Sequence, residues 1–132
     1  MIVDSSALIA ILRSEPEADQ FAELIVSQPA QISAANWLEA SMVASGQLGP
    51  TGAVLVDQLV EELGVKIVPV TVEEATRARL AFQRYGRGSG SPARLNFGDC
   101  FAYALSSVTG EPLLFKGDDF THTDVLRVVS DG

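Results

Sequence analysis

"MIVDSSALIAIL", Met1 to Leu12, changes character at its fourth residue. Met1–Asp4 reads as a short buried strand that stops at a carboxylate. The residues after it have helical spacing, with Leu8, Ile11 and Leu12 on one face. Strand then helix is thus the opening order, and the rest of the chain continues it. Pro16 suits the first turn of a second helix running from Glu17 to about Val26, with Phe21, Leu24 and Ile25 as its apolar face. "QIS" at 31–33 reads as a strand and "AANWLEASMVASG" as a helix closed by Gly46. Pro50 then introduces a helix with the stripe Val56, Leu59, Val60, Leu63, stopped by Gly64. "VKIVPV", 65–70, is β-branched, and its Pro69 suggests an edge strand or a strand end. The following helix reaches about Tyr85, with Thr71 as N-cap and Glu74 reaching back to the Thr71 backbone N–H as a capping box. "GRGSGSPAR", 86–94, is a basic, mobile loop. A helix from Asn96 to about Val108 and strands "PLLF", 112–115, and "LRVV", 126–129, complete the chain. Alternating strands and helices predict an α/β fold, a central, mostly parallel sheet flanked by helices on both faces.

The 132 residues fit a single domain, 1–132, of globular composition. No apolar run approaches the ~20 residues of a membrane span. The apolar N-terminus lacks a basic flank and carries Asp4, so a cytoplasmic protein is expected. The single cysteine, Cys100, excludes an intramolecular disulfide and reads as a small core residue. A formal charge of −8 points away from nucleic acid, yet five of the nine basic residues, Arg77, Arg79, Arg84, Arg87 and Arg94, lie in an interval free of acids. An acidic chain can therefore present one basic surface.

In open parallel sheets, ligands bind beyond the carboxyl ends of the strands. Asp4 ends the first strand, and Asp118 and Asp119 follow "LLF" after only Lys116 and Gly117. Asp99 opens the otherwise apolar helix "NFGDCFAYALS", where capping by Asn96 and the helix dipole already favour an acid. Glu39 lies at the margin of the apolar face formed by Ala35, Leu38 and Met42. Each acid alone has an ordinary reading as a cap, a first-turn residue or a turn residue. Converging on one sheet edge without an obvious cationic partner, they suit a hard divalent ion with oxygen ligands, Mg²⁺ or Mn²⁺, rather than zinc.

These segments, "MIVDSSALIAIL", Glu39 in "NWLEA", "NFGDCFAYALS" and "LLFKGDDFTHTDV", resemble the four acidic motifs of the PIN domain as found in VapC-type toxins. The resemblance spans nearly the whole chain. It implies a PIN-like fold and a Mg²⁺-dependent endoribonuclease neutralised by a VapB-type antitoxin, with a homodimer as the expected assembly and no membrane association. It carries catalytic and metal-binding roles onto Asp4, Glu39 and Asp99, and matches Ser6 to the small hydroxyl residue that accompanies the first acid. For the fourth acid, Gly117 stands where many relatives have the first Asp of their pattern. Anchoring on Phe120 selects Asp119, with Asp118 and Asp124 as further candidates. Arg87, Arg94 and Lys116 are the expected contacts to the RNA backbone, whereas the sole histidine, His122, is not required. Two other classes compete: a non-catalytic RNA- or partner-binding module on the same fold, and a phosphoacceptor receiver domain. The latter expects a paired acid beside the first strand, where this chain has Ser5 and Ser6.

Overall fold

The computed structural model describes residues 1–128. Its elements in chain order are β1 (Ile2–Val3), α1 (Ser5–Leu12), α2 (Ala18–Val26), β2 (Ala30–Ser33), α3 (Ala34–Leu48), α4 (Thr51–Leu63), β3 (Val65–Val68), α5 (Val72–Tyr85), α6 (Phe97–Thr109) and β4 (Leu113–Leu114), followed by a 3₁₀ turn at Asp119–His122. The strands form one sheet in the order β3-β2-β1-β4, and every pairing is parallel.

Strand alternation distributes the core. Met1 and Val3 belong to a cluster built with α1, α2, α3 and α4, whereas Ile2 and Leu113 belong to a second cluster built with α5 and α6. Successive β-residues point to opposite faces, so two apolar layers cover the two sides of the sheet, as expected for parallel strands with helical crossovers. The chain leaves β1 toward β2 on one side and returns to β4 on the other, so the order reverses at β1/β4. A switch point of this kind opens a crevice beyond the carboxyl ends of the strands. Asp4 stands there, its N–H donating to Leu114 O at 3.0 Å.

Several boundaries differ from the sequence reading. α3 runs through Gly46 to Leu48, because the stop is Gly49, whose φ of 72° with ψ −157° is an extended positive-φ conformation that only glycine adopts readily. β3 ends at Val68, so Pro69 lies just beyond an edge strand. The expected last strand is reduced to a parallel bridge between Leu113 and Arg127, and its Val129 lies outside the described residues. Segment 86–94 is closed at its base by Leu95 N–H to Tyr85 O (2.9 Å) and Arg87 N–H to Leu95 O (3.1 Å). The Thr71 hydroxyl accepts the Glu74 N–H at 3.1 Å but donates to the Glu74 carboxylate at 2.8 Å, in place of the expected bond to the Thr71 N–H. The complete capping box is at α6, where Asn96 Oδ1 accepts the Asp99 N–H (2.9 Å) and Asp99 Oδ2 accepts the Asn96 N–H (3.0 Å). No helix among the described residues is long and apolar enough to cross a membrane.

Candidate active site

Asp4 leaves the sheet as the N-cap of α1, with Oδ2 accepting the Ser6 N–H at 3.0 Å. Its other oxygen, Oδ1, is buried and has no hydrogen-bond partner among the described residues. Burial pushes the Asp4 carboxyl up to about 6, resisted by the hydrogen bond from the Ser6 N–H and helped by the Glu39 charge. Asp99 comes from the first turn of α6 and is also buried. Burial pushes its carboxyl up to about 7 against the bond from the Asn96 N–H, and the charges of Asp4, Asp119 and Glu39 add to the rise. Both acids are thus held where ionisation is opposed by desolvation and by like charges.

Glu39, half-buried in the second turn of α3, is fixed by side chains that sequence reasoning did not single out. Ser5 Oγ donates to Glu39 Oε1 at 2.5 Å and Asn36 Nδ2 donates to the same oxygen at 3.3 Å. Asn36 Nδ2 also donates to the Gly98 carbonyl at 2.9 Å, which links α3 to α6. Gly98 completes this corner, because a β-carbon there would overlap the Glu39 carboxylate. The available signals were local: a buried-face asparagine three residues before Glu39, and a glycine preceding Asp99.

Of the two adjacent acids after β4, Asp119 is the one whose charge acts on Asp99. Both are exposed, and the buried Phe120 anchors their turn. Asp124 is engaged elsewhere: it accepts the Tyr103 hydroxyl and pairs with Arg84 at 3.9 Å. Ser6 uses its hydroxyl to accept the Lys116 N–H at 3.0 Å. The Lys116 ammonium pairs with Glu15, and with Glu17 at 2.9 Å. Arg87 and Arg94 are exposed on either side of the 86–94 loop, and neither forms an ion pair among the described residues. Arg77 is bonded to Ser107 at 3.0 Å, and His122 is exposed at the end of the 3₁₀ turn. Cys100 is buried, its thiol pushed up to about 11 by burial and by Asp99, so it is an inert core group.

Among the described residues, no three His, Cys, Asp or Glu side chains are grouped tightly enough to hold an ion as they stand. Uncompensated carboxylates repel, and one oxygen of each buried acid is already bonded to a backbone N–H. The donor set nevertheless fits a hard divalent cation. It consists of carboxylate oxygens alone, and Asp4 Oδ1 is a buried acceptor left without a donor. Chemically, the arrangement offers carboxylates beyond the carboxyl ends of β1 and β4, a region of negative charge that would attract a cation.

Comparison with known proteins agrees with this architecture. The family model described as "PIN domain" matches residues 1–126. Ribonuclease VapC28 of Mycobacterium tuberculosis is 47% identical over 130 residues, which cover 98% of this chain and 98% of that protein. The crystal structure of Mycobacterium tuberculosis VapC20, titled a sarcin–ricin loop cleaving toxin, superposes with a TM-score of 0.75 at 18% identity, covering 96% of this chain and 97% of that one. A toxin–antitoxin complex from Klebsiella pneumoniae superposes with a TM-score of 0.69 at 19% identity, covering 96% of this chain and 95% of its own. At these identities the two structures speak for the fold.

Proposed function

Since the chain belongs to the VapC branch of the PIN-domain family, we propose that it is a divalent-metal-dependent endoribonuclease and the toxic member of a toxin–antitoxin pair. The observation that carries this reading is the buried Asp4 carboxylate at the β1/β4 switch point, with one oxygen unpartnered and the charges of Asp99 and Glu39 close by. Asp4, Asp99, Glu39 and Asp119 are the residues that would hold the ion, Mg²⁺ with Mn²⁺ as substitute. When bound, such an ion supplies Lewis acidity toward water and toward the phosphoryl oxygens, so hydrolysis of the phosphodiester needs no histidine base.

The chain's own contribution is preorganisation. Desolvation of Asp4 and Asp99 strengthens their hold on a cation, and Ser5 and Asn36 keep Glu39 beside them against like-charge repulsion. Ser6, Arg87 and Arg94 are the groups assigned to the RNA backbone, offsetting the repulsion between an acidic pocket and phosphate. Lys116 joins them only by exchanging its pairing with Glu15 and Glu17.

A VapB-type antitoxin and a homodimer belong to the same reading. The antitoxin follows from membership of the VapC branch, whose ribonucleases this chain resembles over nearly its whole length. Partner surface is supported by Leu38 and Met42 on α3 and Phe97 on α6, all large apolar side chains left exposed. The physical expectation is that the antitoxin enters the pocket with Arg or Lys, since a cation among these four acids neutralises them and displaces metal.

The test is incubation of the purified protein with total RNA, with and without Mg²⁺, followed by mapping of the ends. Discrete new ends that require metal are expected. The absence of cleavage with any divalent metal would overturn the proposal.

A further inference from the structure

Asn36 is fully buried in a helix whose neighbouring core positions are occupied by alanine. Burying an amide is unfavourable unless its hydrogen bonds are used. Here only the nitrogen is used: it donates to the Gly98 carbonyl at 2.9 Å and to Glu39 Oε1 at 3.3 Å, while Oδ1 has no partner among the described residues. The opposite orientation of the amide would set its oxygen against two acceptors, so these two acceptors fix which way the group points. An apolar residue of similar size would fill the space without an orphaned oxygen. What it could not do is donate to a carboxylate of α3 and a carbonyl of α6 at once.

Glu39 needs that donation. Its charge acts on both Asp4 and Asp99, which repel it in return, and the side chain is half-exposed and free to turn toward water. Ser5 Oγ, on α1, is the other donor to the same oxygen. Two donors converging on Oε1 hold the carboxylate in the corner that Gly98 leaves open by having no side chain.

We propose that Asn36 is a positioning residue for RNA hydrolysis, holding Glu39 beside Asp4 and Asp99 through bonds to the Glu39 carboxylate and the Gly98 carbonyl. The proposal rests on the ribonuclease reading given above. A merely structural tie between α3 and α6 would lower stability without a selective effect on turnover. A positioning residue acts through Glu39, so its removal should matter only while Glu39 is a carboxylate.

The experiment compares Asn36→Ala, Glu39→Gln and the double variant with the wild type, reading kcat, KM and thermal stability with Mg²⁺ and a mapped RNA. Asn36→Ala should lower kcat roughly 10- to 100-fold with KM changed less than about threefold, and should lower kcat less than about twofold further in the Glu39→Gln background. Asn36→Ser, too short to bridge both acceptors, should repeat this pattern and serves if the alanine variant does not fold. Losses that multiply in the double variant, or an unchanged kcat in Asn36→Ala, would overturn the assignment while leaving the ribonuclease reading intact. A wild type that cleaves no RNA overturns that reading and this assignment with it.

Discussion

Replacing Asp4 by asparagine should stabilise the metal-free protein at alkaline pH and abolish its stabilisation by divalent metal. Asp4 is buried, its Oδ1 has no partner, and burial lifts its carboxyl from the ordinary 3.8 to about 6. A carboxyl whose native pKa exceeds its unfolded value binds more protons in the native state. Stability therefore falls as pH rises through the interval between the two values and stays low above it. At about 1.4 kcal/mol per pH unit, ionised Asp4 costs about 3 kcal/mol at pH 8. Asparagine keeps an oxygen to accept the Ser6 N–H, but its amide nitrogen inherits the position where Oδ1 has no partner, at a cost of about 1–2 kcal/mol. The net gain is about 1–2 kcal/mol, or about 4–7 °C in Tm for a chain of this length. By pH 4.5 the charge penalty has fallen to about a third, so the gain should vanish there. Saturating Mg²⁺, at about 100 times Kd, should add about 2.7 kcal/mol to the wild type and little to the variant, reversing their order. Urea denaturation followed by fluorescence of the single tryptophan, Trp37, at pH 4.5 and 8 with EDTA or Mg²⁺ reads all four conditions. Asp4→Asn less stable than the wild type at pH 8 in EDTA, or equal stabilisation of both by Mg²⁺, would refute the reasoning.

Asp119→Asn should reduce RNA cleavage much more than Asp118→Asn, since Asp119 is the acid whose charge acts on Asp99; initial rates on one mapped RNA decide, and the reverse ranking refutes the register anchored on Phe120. Gly98→Ala should lower kcat about 100-fold at little cost in stability, because its β-carbon would displace the Glu39 carboxylate, the end of a flexible side chain; a variant with wild-type kcat contradicts the close approach. Inhibition by the cognate antitoxin should weaken when its pocket-entering Arg or Lys is changed to Ala, and should compete with Mg²⁺ in a steady-state titration. Equally strong inhibition by an antitoxin with no basic residue near the pocket would mean that blocking is steric alone.

The elements that define the architecture were legible because their signals are local. The β-branched and apolar runs at Met1–Val3, Val65–Val68 and Leu113–Leu114 stand between helical stripes, and parallel order follows from that alternation. Where the reading slipped, a local signal had more than one structural solution. Gly46 is a plausible stop, but a glycine can sit inside a helix, and the backbone turns to positive φ at Gly49. Thr71 and Glu74 match a capping box in sequence, yet side-chain torsions decide whether Glu74 meets an N–H or a hydroxyl. "LRVV" carries strand propensity, but Arg127 finds only a bridge to Leu113. At the site, the acids were visible as carboxylates at strand ends and helix starts. The groups that hold them were not, because Ser5, Asn36 and Gly98 acquire their roles only when α1, α3 and α6 meet. Likewise Lys116 reads as a free cation in sequence, and only the folded chain brings Glu15 and Glu17 to it.

The most direct measurement is the Mg²⁺ dependence of cleavage of one mapped RNA by the wild type and by Asp99→Asn, a change that removes a charge from the first turn of α6 with little change of shape. The account predicts cleavage by the wild type that rises with Mg²⁺ and vanishes in EDTA, and none by Asp99→Asn at any Mg²⁺ concentration, although the variant remains folded. Metal-dependent cleavage retained by Asp99→Asn would contradict the site. A wild type that binds the RNA but never cuts it would leave the chain a binding module on the same fold.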